Sequence, residues 1–338
     1  MILDLWKSIK REELAPIYLL YGKEAYLIHE TKQLILNQLL SEDERDFNFS
    51  AYDLEETPIE LAIEDAETFP FFGDRKVIFL HNPVFLTAEK SKGKIDHNLA
   101  RFEAYLGQPA PFTVMVISAP YEKLDERKKL TKELKRRGEV LEAKKLSEHE
   151  LKSWVQDTAK ARGKVFEPDA IEHLLALVGT NMFMISSEVE KLSLYAGEET
   201  KINRELVEKL AARSLEQNIF TLIEKVVQRR LDEALRIYYD LLKQNEEPIK
   251  ILALLAGQFR LIYQVKELSR RGYGQQQIAG LLKTHPFRVK LALGQAGKFT
   301  DEELANLMEL LAEADYQMKT GGANKSLLIE MLLFKLQK

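Results

Sequence analysis

Short runs of β-branched and aromatic residues alternate with helical patterns from residue 14 to about 142, and after Ala143 such runs give way to helical periodicity. Alternation of this kind is how a chain encodes an α/β domain with a largely parallel sheet, because each parallel connection needs a crossover helix. The expected strands are Ile17–Tyr21, Phe47–Tyr52, Lys76–Leu80, Phe112–Ser118 and Glu139–Leu141. IYLLY, VIFL and FTVMVIS are almost continuously apolar, as central strands covered on both faces must be. Helices are expected at about 24–40, 59–67, 95–106 and 125–135, the first carrying Leu27, Leu34, Ile35 and Leu39 near one face.

Ser147 followed by Glu150 has the spacing of a capping box and opens the helical remainder. Helices follow at 147–162, 168–178, 181–195 and 203–210, separated by Gly163, Gly179 and Gly197, and read as a small all-helical module. Six further helical patterns, at 216–229, 231–244, 248–271, 285–296, 301–319 and 325–336, are Leu-rich enough for a bundle with apolar surface left for neighbours. The division expected is therefore 1–143, 144–212 and 213–338, which suits a length of 338 residues.

Composition narrows function. Without cysteine there are no disulfides, thiolate metal sites or thiol catalysis, as expected of a cytoplasmic protein. Forty-nine Lys plus Arg against 53 Asp plus Glu give a net charge of -4, so any contact with DNA needs a local patch. No signal peptide and no membrane span is expected.

The turn after the first strand, Gly22-Lys23-Glu24, is where an α/β nucleotidase carries its phosphate loop. That loop needs G-x-x-x-x-G-K-[ST], in which backbone N–H groups cradle phosphate, Lys neutralises charge and a hydroxyl holds magnesium. Neither register fits, and the pairs Gly93-Lys94, Gly163-Lys164 and Gly297-Lys298 are followed by Ile95, Val165 and Phe299. The strand Lys76–Leu80, which would end in a magnesium-holding acid, ends in His81-Asn82. The six histidines are scattered without ligand spacing, and there is no G-x-S-x-G elbow. The expectation is no catalytic activity, no cofactor and no metal.

Two segments point to binding. In FPFFGDRKV (69–77), Pro70 and Gly73 bracket Phe71 and Phe72; neighbouring side chains diverge, so the core can take one and at least one should be exposed. Covering a Phe side chain is worth about 1.5–3 kcal/mol, and aromatics dominate interface hot spots, so the pair is the candidate hydrophobic wedge for a partner protein. The other reading is that both tuck under the preceding helix. On the helical pattern 301–319 that leads through Glu313 toward Gly322, Leu304, Leu307, Leu311, Ala314 and Met318 form the inward stripe and Tyr316 faces out. Beside Lys319 it is a candidate DNA contact, or a contact for a neighbouring helix. The basic stretch 123–145 is either a solvated helix face or a DNA-backbone patch.

The opening PIYLLYGKE (16–24), FPFFGDRKV (69–77), SEVEKL (187–192), QFRLIY (258–263) and ADYQMKTG (314–321), in this order, resemble the delta-subunit family of bacterial DNA polymerase III. The resemblance implies an AAA+-like α/β domain with a degenerate nucleotide site, a helical lid domain and a helical collar that assembles with tau/gamma and delta prime subunits. It implies binding of the beta sliding clamp through a hydrophobic pair, here Phe71 and Phe72, to open the ring for loading onto primed DNA. Phe-Phe stands where Leu-Phe also occurs in the family. The rival expectations are an active ATPase of the same fold and a stand-alone DNA-binding protein.

Overall fold

The computed structural model describes residues 2–88, 95–321 and 324–336; the Gly93-Lys94 pair and Gly322 lie outside them. The chain divides into two compact units, Met1–Lys145 and Leu146–Lys338.

In the first unit α1 (Ile2–Lys10) precedes β1 (Ile17–Gly22), α2 (Ala25–Leu39), α3 (Glu42–Asn48), β2 (Phe49–Asp53), α4 (Ile59–Glu67), β3 (Lys76–His81), α5 (Leu99–Gly107), β4 (Thr113–Ala119), α6 (Lys129–Arg137) and β5 (Glu139–Ala143). All five strands run parallel in the order β2-β3-β4-β1-β5. One face, through Ile17, Leu19, Ile78, Leu80, Met115 and Ile117, packs on α4, α5 and α6, and α2 covers the other. Burial of both faces is why the central strands carry no polar alternation.

Two expectations are corrected here. The second strand begins at Phe49, because residues 42–48 form α3 behind a Ser41/Glu44 capping box, and Phe47 is helical. The helix expected from 95 starts at Leu99, where the Asn98 side chain accepts the Arg101 N–H.

In the second unit α7 (Glu148–Lys160), α8 (Pro168–Val178), α9 (Met182–Tyr195) and α10 (Arg204–Leu210) are accompanied by two-residue parallel strands β6 (Val165–Phe166) and β7 (Lys201–Ile202). The module is thus not purely helical; pairs this short leave no periodicity to read. The Ser147/Glu150 capping box is present. The bundle comprises α11 (Leu215–Val227), α12 (Leu231–Lys243), α13 (Pro248–Arg270), α14 (Gln275–Leu281), α15 (Pro286–Ala296), α16 (Asp301–Thr320) and α17 (Lys325–Lys335). Helix α13 is its central post, burying Ile251, Leu252, Leu255, Phe259, Ile262 and Val265.

The two helical parts of this unit are tied together. Buried Glu188 accepts the Ala212 N–H at 3.3 Å, and the Ser214 N–H donates to the Leu177 carbonyl at 3.0 Å. His285 caps α15 by accepting the Phe287 N–H through Nδ1 at 3.1 Å, while Nε2 donates to the Leu146 carbonyl at 2.6 Å. That pattern defines one neutral tautomer. No helix among the described residues is long and apolar enough to cross a membrane.

Gly22 shows how tightly β1 and β5 are joined. Its φ is +132°, and a Cβ there would lie 2.2 Å from the Ala143 carbonyl oxygen. Gly22→Ala is expected to lower stability by about 3 kcal/mol through this backbone overlap, read as an earlier unfolding transition of the full chain. An unchanged transition would mean that the β1–β5 contact relaxes freely.

Candidate functional site

The segment from Thr68 to Arg75 is a turn on the rim of the first unit, and both of its central rings stand in solvent: Phe71 is 73% and Phe72 53% exposed. The expected divergence of neighbouring side chains did not bury either one. Instead the rings meet edge to face, 4.8 Å between centroids, and both lean on Phe47 of α3. Phe47 stacks on Phe71 at 5.5 Å and meets Phe72 edge-on at 5.2 Å. These are the spacings at which aromatic quadrupoles attract, so three rings shelter one another where the core shelters none. Phe69, on the far side of Pro70, lies against Phe112 at 4.7 Å.

The turn's backbone is held from beneath by Asn48, the last residue of α3, whose side chain is fully buried. Its Oδ1 accepts the Phe71 N–H at 3.0 Å and its Nδ2 donates to the Phe72 carbonyl. One side-chain amide therefore satisfies a donor and an acceptor on the two residues that present the rings. Gly73, at φ +62°, lets the turn pass Glu44: a Cβ there would come within 2.1 Å of the carboxylate that completes the α3 capping box.

At the root of the turn, Lys76 is buried. Its Nζ reaches Asp65 Oδ1 at 2.8 Å and the Asp65 carbonyl at 3.0 Å. The Tyr52 hydroxyl donates to Asp65 Oδ2 at 3.0 Å. Burial works against ionisation of Asp65, but hydrogen bonds from Lys76, Ser50 and Tyr52 outweigh it and hold the carboxyl below its ordinary range. Burial, reinforced by the bond to Asp65, pushes the Tyr52 phenol up to about 12.

At the turn after β1 the backbone is engaged by the neighbouring strand β5. The Glu24 N–H donates to the Ala143 carbonyl at 3.0 Å, and Glu24 sets a carboxyl at the N-terminus of α2, the end that would attract a phosphate. At the end of β3, Asn82 takes a left-handed φ of 55° and its amide donates to Asp53 Oδ2 at 2.9 Å. Burial, and then the nearby Lys32 charge, lower the pKa of His81. A magnesium-holding acid has no counterpart at His81-Asn82.

Tyr316 is 63% exposed, and the five stripe residues on α16 are buried as the periodicity requires. Lys319 is engaged by Asp315 at 2.7 Å. In the basic stretch 123–145, Arg127 pairs with Asp125, Lys129 with Glu103 of α5, Lys135 with Glu126, Arg136 and Arg137 with Glu133, and Lys144 with Glu142. Lys128 donates to the carbonyls of Phe85 and Thr87.

Sequence reasoning singled out Phe71 and Phe72, which stand exposed, but not Phe47 or Asn48, which touch them. The Ser41-x-x-Glu44 spacing was the signal that a helix, not a strand, leads up to them.

The first unit is thus a five-stranded, all-parallel α/β domain with an aromatic turn at its rim, and the bundle of the second unit follows it along the chain. A family model described as "DNA polymerase III, delta subunit" matches residues 18–144, and one described as "DNA polymerase III delta subunit, C-terminal domain" matches 216–336. A third, described as a middle domain, matches 147–209. The DNA polymerase III subunit delta of Bacillus subtilis (strain 168) is 52% identical over 338 residues, covering 100% of this chain and 97% of that protein. A probable DNA polymerase III subunit delta of Aquifex aeolicus (strain VF5) is 24% identical over 258 residues, 76% of this chain and 72% of that one. The solved structure of the Bacillus subtilis DNA clamp loader delta protein superposes with a TM-score of 0.83 at 52% identity, covering 100% of this chain and 99% of that one. The chain belongs to the DNA polymerase III delta-subunit family and is a clamp-loader component of the replicative holoenzyme.

Proposed function

We propose that this chain binds the beta sliding clamp through Phe71 and Phe72 and helps open it for loading onto primed DNA, without catalysis of its own. The observation that carries the reading is the pair of rings held in solvent by a braced turn. Exposed aromatics on a fixed backbone lose little conformational entropy on docking, which is what an interface anchor requires. Opening follows from differential affinity: the wedge shifts the ring only by as much as it binds the open form better than the closed one.

In this reading residues 1–143 carry the wedge, 144–212 form the lid and 213–338 form a collar that packs against tau/gamma and delta prime. ATP bound by those sister subunits governs when the wedge is presented, and the whole works in the cytoplasm. Tyr316 and Lys319 are retained as the candidate DNA contact. The basic stretch 123–145 is retained as a second candidate, for the DNA backbone, since its ion pairs take up only part of its charge.

Calorimetric titration of the chain into purified sliding clamp tests the reading. Saturable binding with a negative heat-capacity change, the mark of apolar burial, is expected. No heat and no co-elution at micromolar concentrations would remove the proposal.

A further inference from the structure

We infer that helix α3 is a working part of the wedge: Phe47 is a third contact ring, and Asn48 is the positioning residue that fixes the rings in one arrangement. The inference rests on the clamp-binding reading above and extends it to residues outside the turn.

Phe47 is 54% exposed although it sits on a helix whose next residue is fully buried. Its neighbours explain the placement: it touches both Phe71 and Phe72, so the three rings form one continuous apolar surface. A partner pocket that accepts the latter two must meet Phe47 as well. The surrounding charge describes that pocket further. Asp43 and Asp46 on α3 and Asp74 and Arg75 on the turn are exposed, so the complementary site on the clamp is an apolar pocket with a polar rim.

Asn48 acts through others. Its amide spends both hydrogen-bonding ends on the Phe71 N–H and the Phe72 carbonyl, which fixes two successive peptide groups relative to α3. Without it those backbone groups turn to water and the rings sample several arrangements, of which the partner binds one. The affinity then falls by the fraction of chains in the competent arrangement.

The test measures clamp affinity of the full chain carrying Phe47→Ala or Asn48→Ala, each in the wild-type and Phe71→Ala backgrounds. Phe47→Ala is expected to weaken binding about 10-fold, as for a ring at the edge of a hot spot. Asn48→Ala is expected to weaken it about 5-fold or more with the thermal transition still cooperative. Each loss should shrink at least about threefold in the Phe71→Ala background, because residues sharing one surface are not additive. A purely structural role for Asn48 would give the same loss in both backgrounds, and that result overturns its positioning role. Phe47→Ala binding within twofold of wild type, while Phe71→Ala is impaired, overturns the third ring alone. Since Phe47 is exposed, this arm stands even if Asn48→Ala fails to fold. If wild type does not bind the clamp, or Phe71→Ala binds as wild type does, the underlying reading falls and takes this inference with it.

Discussion

The Phe71→Ala/Phe72→Ala variant should bind the sliding clamp at least about 100-fold more weakly than wild type while unfolding at the same temperature. The two halves of that result have separate causes. Each ring already stands more than half in water, so its removal takes little from the core, and exposed sites seldom move stability by more than about 0.5 kcal/mol. Covering a Phe side chain at an interface is worth about 1.5–3 kcal/mol, so two rings together supply about 3 kcal/mol or more, the equivalent of at least two decades in affinity. In a reconstituted loader the same variant should lose clamp loading in proportion to the lost binding. Full affinity in a folded variant would leave the rings without a role.

The second large effect concerns the buried ion pair at the root of the turn. Lys76→Met leaves Asp65 and the Tyr52 hydroxyl facing an apolar side chain. Removing one partner of a fully buried pair costs about 3–5 kcal/mol, and because the Asp65 side chain keeps 23% of its surface in water the expectation here is about 2–3 kcal/mol at neutral pH. The sign of its pH dependence follows from Asp65. Its folded pKa lies below the ordinary 3.8, so its contribution is fully present above that value and is lost as pH falls through the folded one. Denaturant titrations of wild type and Lys76→Met should therefore differ most near neutrality and converge below about pH 4. A gap that stayed constant down to pH 3 would assign the loss to packing of the lysine stem instead of its charge.

How much of this was legible in the sequence depended on where each element buries its surface. Strands β1, β3 and β4 were readable because burial on both faces demands the unbroken runs IYLLY, VIFL and FTVMVIS. The α16 stripe was readable for the converse reason, one face buried and Tyr316 opposite. Helix α3 offered no such pattern. In EDERDFN the one large apolar residue, Phe47, points outward to join Phe71 and Phe72, so the periodicity that marks a helix is missing and only the capping spacing betrays it. Asn48 was invisible for a related reason: a lone buried amide acquires meaning only from the backbone groups it meets, and these lie more than twenty residues along the chain. The adjacent rings were expected to diverge, and their mutual contact depends on a third ring supplied by another element. The charge run at 123–145 was visible as a run, but its matching to Asp125, Glu103, Glu126 and Glu133 could be read only from the folded chain.

Hydroxyl-radical footprinting of the free chain and of its complex with the sliding clamp tests the central claim most directly, because it reports the solvent exposure of individual Phe side chains. The account predicts that oxidation of Phe71 and Phe72 falls several-fold on complex formation while that of Phe183, exposed on α9, is unchanged. A complex in which Phe71 and Phe72 oxidise as fast as in the free chain, with protection appearing on another surface, would contradict it.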